Sequence, residues 1–88
     1  MESQAFKSYL KSVQLFIQQS VVFLMHANNE DEVNKVYANR LILTIELMIF
    51  VIGHDYPGDD ELFNTKINLR RHWDLLLTRY NRENVDAG

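Results

Sequence analysis

The run Leu41-Ile42-Leu43-Thr44-Ile45-Glu46-Leu47-Met48-Ile49-Phe50-Val51-Ile52 limits what this chain can fold into more than any other feature. It is too short to cross a bilayer, which needs about 20 consecutive apolar residues, and it carries Glu46 in its middle. It is too apolar for an ordinary surface helix, whose outer face is polar. Such a run belongs at the buried centre of a small helical bundle. The chain has 88 residues, enough for one domain. A domain of that size buries only about 60–65% of the surface its unfolded chain exposes. The run therefore needs more cover than two neighbouring helices supply.

Composition sets the class. Hydrophobic residues make up 47% of the chain, with three Gly and one Pro, so there is enough apolar surface to offset the entropy of ordering it. The net charge of −3 argues against a general nucleic-acid binder, which needs a field attractive to phosphate. There is no cysteine, which favours a reducing, intracellular setting. Met1-Glu2-Ser3-Gln4-Ala5-Phe6 lacks the basic stretch and apolar core of a signal peptide. The expected location is cytoplasmic, with no membrane insertion.

Three helical segments are expected, at about 3–26, 30–52 and 60–84, forming an all-α, up-down-up unit. Asn28-Asn29 separates the first two; Asn29 suits an N-cap, and Glu32 stands three residues on, as in a capping box. Gly53 to Asp59 separates the second pair. Gly53 suits a left-handed helix end, Pro57-Gly58 suits a type II turn, and Asp59 or Asp60 suits the next cap. The first segment carries an apolar stripe of Phe6, Tyr9, Leu10, Val13, Phe16, Ile17, Val21 and Leu24, with Leu15, Val22 and Met25 interrupting its polar side. The second is apolar around most of its circumference, with a narrow polar strip of Lys35, Asn39 and Glu46. The third carries Leu62, Leu69, Trp73, Leu76, Leu77 and Tyr80, widened by Phe63 and Ile67. Short connections make successive helices antiparallel neighbours, with the second segment in the middle. Its surplus apolar surface calls for completion into a larger bundle by homodimerisation. The expected interface uses Leu15, Val22, Met25, Ile42, Ile49, Phe50 and Leu75.

The chemistry-bearing residues have plain readings. Glu46 falls on the polar strip with Lys35 and Asn39, and no second carboxylate shares that face. His26, His54 and His72 form no i, i+4 pair and no Glu-x-x-His motif, so neither a metal nor a cofactor is expected. Asp55, Asp59, Asp60 and Glu61 lack the alternating ligands of a calcium loop. Ser3, Ser8, Ser12 and Ser20 stand without a strained turn or an evident base, so no catalytic residue is assigned. Lys66, Arg70, Arg71, Arg79 and Arg82 complement the dipole at a helix C-terminus. Of these, Arg71, Arg79 and Arg82 on the solvated face make a candidate patch for an acidic partner.

Ile45-Glu46-Leu47, followed by Trp73-Asp74-Leu75-Leu76-Leu77 and Asn84, resembles the flagellin export chaperones over about half the chain. The resemblance implies a small helical bundle that covers the helix-forming tail of a client. The second connection is longer than that family's, and no fourth helical segment follows. The function expected from the residues themselves is non-catalytic: a small regulator, adaptor or stoichiometric inhibitor that binds another protein. The alternatives are a chaperone for an export client and a nucleic-acid-associated regulator.

Overall fold

The computed structural model describes residues 2–80. It contains α1 (Glu2–His26), α2 (Glu32–Asp55) and α3 (Asp60–Tyr80), with no strand among the described residues. The chain runs up, down and up. Lys7 near the start of α1 reaches Asp59 at the start of α3, and Leu24 near the end of α1 meets Tyr80 at the end of α3.

The helix ends follow local chemistry, with several shifts from the sequence expectation. Asp31, not Asn29, caps α2: its carboxylate accepts from the Val33 and Asn34 N–H groups at 2.8 and 3.4 Å. Asn29 instead donates to the Arg79 carbonyl at 3.3 Å, so it serves the end of α3. At its other end α2 runs past Gly53 to Asp55 and stops at Tyr56. No described residue has positive φ, which removes both the left-handed Gly53 and the type II turn. The Asp59 N–H closes a turn onto the Tyr56 carbonyl at 3.3 Å around Pro57-Gly58. Asp59 caps α3, accepting from the Leu62 N–H at 3.1 Å. The expected end of the third helix near 84 lies outside the described residues.

The core joins Leu10, Ile17, Val21 and Leu24 of α1 to Ala38, Leu41, Ile42, Ile45, Met48 and Ile52 of α2 and to Leu62, Leu69, Leu76 and Tyr80 of α3. Leu41, Ile45, Met48 and Ile52 are buried together on one face of α2. The order of the helices differs from the expected one. The closest packing is between α2 and α3, the next between α1 and α3, and α1 touches α2 least, so α3 rather than α2 is the middle helix. The molecule is correspondingly flat, 43 × 26 × 16 Å. With α2 at an edge, only half of its circumference meets the rest of the chain.

Candidate functional site: an uncovered apolar face

One side of α2 is built from Ala38, Leu41, Ile45, Met48 and Ile52 and faces the core. The opposite side is built from Val36, Leu43, Leu47 and Phe50, spaced by threes, fours and sevens, with Val33 at its N-terminal end. These five side chains are 50–75% exposed. The helix is therefore apolar on two opposite faces, and the described residues cover one. The strip of Lys35, Asn39 and Glu46 runs along its flank: Lys35 and Asn39 are half-buried and Glu46 is exposed. Only Arg40 breaks the uncovered face along its length.

The same face continues onto α1. Tyr9, Phe16 and Phe23 recur every seven residues and are 54–64% exposed. The expected core stripe of α1 had included Tyr9 and Phe16; both lie outside the core. Their position follows from Ser20, which stands four residues from Phe16 and three from Phe23 and so shares their side of the helix. Ser20 is buried and hydrogen-bonds Tyr37 of α2. The aromatic row thus borders the seam between α1 and α2. Val33, one turn before Tyr37, borders it from α2.

The sequence-derived interface residues divide sharply. Leu15, Val22, Phe50 and Leu75 are exposed. Ile42, at 3% exposure, belongs to the chain's own core and is not available to a partner. Met25 and Ile49 are partly buried against that core. Leu43 and Leu47, both exposed on α2, were missed because the wheel of an apolar-all-round helix does not say which half its neighbours take. Phe63 and Ile67, expected to widen the core stripe of α3, are also exposed.

The cationic cluster divides too. Arg79 is a structural residue. Its Nε donates to the Leu24 carbonyl at 3.2 Å and its terminal nitrogen to the Ala27 carbonyl at 2.7 Å. Helices end with carbonyls that have no intrahelical partner, and a guanidinium satisfies two of them here at the end of α1. Tyr80 Oη donates to the same Leu24 carbonyl. Arg79 therefore leaves the acidic-partner patch, Arg82 lies outside the described residues, and Arg71 remains exposed.

On the far flank of α2, an open groove is lined by Glu46, Ile49 and Phe50 of α2 with Arg70 and Trp73 of α3. The Trp73 indole N–H donates to Glu46 at 2.8 Å, which explains a carboxylate at the centre of an apolar helix. Among the described residues, three groups have displaced pKa values, each with a structural cause. The Leu62 N–H, followed by the Lys7 ammonium at 3.0 Å, holds Asp59 below the usual carboxylate range. The Lys7 ammonium is in turn raised by Asp59 and by Glu61 at 3.2 Å. Burial, then the Arg71 charge, lowers His72, whose buried Nδ1 has no hydrogen-bond partner among the described residues. Among the described residues no group of three or more His, Asp or Glu side chains is placed to hold a metal ion.

Length and composition alone also let α2 cross a membrane: its best window has a mean hydropathy of 1.7, and 28% of that window is buried in the structure. The Leu41–Ile52 run is too short for a span, but the 24-residue helix containing it is not. No protein-family model, curated protein or solved structure matches the chain, so the likeness of its short runs to flagellin export chaperones stands without a family match.

Proposed function

We propose that this protein is a non-catalytic interaction module that works as a homodimer, closing the α1–α2 face of one copy against the same face of another. The observation that carries the reading is the size of that face. Eight large side chains, three on α1 and five on α2, are exposed by half or more. At about 150–250 Å² for a fully exposed aromatic side chain, and less for Val and Leu, they present roughly 800 Å² of apolar surface. The largest patch on a typical monomer is about 300–600 Å². A two-fold pairing of such a face buries roughly 1,600 Å² in total, the standard size for a specific protein interface. Two protomers paired in this way make a six-helix assembly in which α2, peripheral in the protomer, lies at the interface. The shifted titratable groups serve a cap, an ion pair and a packed helix, which favours a binding role over catalysis.

The test is sedimentation equilibrium at low micromolar concentration, with Leu43→Ser/Leu47→Ser as the comparison. The wild type is expected to be a dimer, and the double variant a folded monomer that binds a hydrophobic dye. A wild-type monomer that binds dye moves the reading to a chaperone whose client fills the face. Partition of the wild type into neutral lipid vesicles moves it to the membrane. A wild-type monomer that does neither overturns it.

A further inference from the structure

We propose that the exposed side of α3 next to the α2–α3 groove is a second docking surface, which takes an acidic amphipathic helix of a protein partner. Lys66, Arg70 and Arg71 make no ion pair among the described residues, whereas Lys7 and Lys35 each hold a carboxylate. They occupy one stretch of a chain whose net charge is −3, so an acidic partner is attracted here and repelled by the remainder.

The three cations are set among apolar groups. The Lys66 ammonium lies 5.4 Å from the centre of the Phe63 ring, and the Arg70 guanidinium 5.7 Å from the Trp73 ring. Ile67 stands one residue after Lys66 and three before Arg70, and Phe63 and Ile67 are both exposed. The open hollow over these side chains measures about 440 Å³ and meets the Glu46–Trp73 groove at Arg70. Glu46 is already satisfied by the Trp73 N–H, and Asp74 is the one carboxylate lining this hollow.

Lys66 and Arg70 stand four residues apart, one helical turn, which matches carboxylates spaced i and i+4 on an opposing helix. An apolar side chain between those carboxylates meets Ile67 and Phe63, an anchor-plus-charged-rim arrangement used by helix-in-groove recognition. Three cations make a short footprint for nucleic acid, and Asp74 sits inside it, so the protein partner is the better fit. This surface lies on a different helix from the proposed self-association face, and the two readings can fail separately.

The test uses a labelled 18-residue helical peptide with Leu at i, i+3, i+4 and i+7 flanked by Glu, and the same peptide with Lys in place of Glu, titrated by fluorescence anisotropy. The acidic peptide is expected to bind more tightly than the basic one. Lys66→Gln/Arg70→Gln/Arg71→Gln should weaken it by about tenfold or more, and raising salt should weaken the wild type in parallel. Arg71→Glu alone, at an exposed position, should produce part of the loss with an unchanged circular dichroism spectrum. Leu43→Ser/Leu47→Ser should leave peptide binding intact, which separates this surface from the dimer face. The proposal is overturned if the two peptides bind alike, if the triple variant binds as the wild type does, or if a single-stranded oligonucleotide or anionic vesicles compete the peptide off through the same three residues.

Discussion

Replacing Arg79 with methionine separates a structural arginine from a surface charge. Methionine keeps most of the apolar stem and removes the guanidinium, whose central carbon lies 5.9 Å from the centre of the Tyr80 ring. Two charge-assisted hydrogen bonds disappear, at 3.2 and 2.7 Å, and the Leu24 and Ala27 carbonyls lose those donors. A hydrogen bond to a charged group contributes about 1.5–3 kcal/mol. Arg79 is half-buried and Leu24 keeps its bond from Tyr80, so the lower end applies to each. A cation at a helix C-terminus adds about 0.3–1 kcal/mol. The expected loss is about 3–4 kcal/mol. With a urea slope of about 1 kcal/mol per molar for so small a domain, the midpoint moves down by about 3–4 M, or the variant fails to fold in water. The assay is urea denaturation followed by circular dichroism at fixed protomer concentration, because association adds to apparent stability. Arg71→Met, on an exposed arginine with no ion pair among the described residues, is the control and should stay within about 0.5 kcal/mol of wild type. Hydrogen exchange should speed up in the last turn of α1 in Arg79→Met alone. If the two variants melt together, Arg79 is a surface charge and the clamp on α1 contributes nothing. The sequence alone placed Arg79 on a solvated face; the structure ties it to the end of α1 instead.

The remaining predictions concern core, cap and pH. Leu69→Ala, at a fully buried position on the middle helix, should cost about 2–5 kcal/mol in the same urea assay, from lost transfer energy and a residual cavity. Because the Asp59 carboxyl is held low in the folded state, the stability it contributes is present above its ordinary value of 3.8 and is lost as pH falls through the folded value. Asp59→Ala should remove that acid-side dependence and expose the first turn of α3 to hydrogen exchange. His72 is likewise lowered, so the unfolded chain takes up its proton first as pH drops below 6.5. Its contribution is complete above 6.5 and is lost as pH falls through the folded value. His72→Gln should flatten that part of a stability–pH curve measured by denaturant melts.

The number of helices, their turn-rich punctuation and the core face of α2 were legible in the residues. Periodicity is a property of each segment about its own axis, and Leu41, Ile45, Met48 and Ile52 fall together whatever the neighbours do. Caps were legible only to within two residues, because Asn28, Asn29 and Asp31 all carry suitable oxygens. Asp31 takes the role with the Val33 and Asn34 N–H groups, while Asn28 Oδ1 accepts from the Glu30 N–H and the Asn29 amide donates to the end of α3, fifty residues away. Helix order was not legible. Short loops fix that neighbours are antiparallel, but not which pair packs closest. That choice put α3 in the middle, Ile42 in the core, and Leu43, Leu47, Tyr9 and Phe16 on the outside. Arg79 followed the same rule: its position on the wheel looked solvated until α1 brought two open carbonyls within reach. The sequence alone determined how much apolar surface the chain has and along which helices it runs. Only the tertiary packing decided which half of it stays uncovered, because a helix has two sides and its neighbours choose between them.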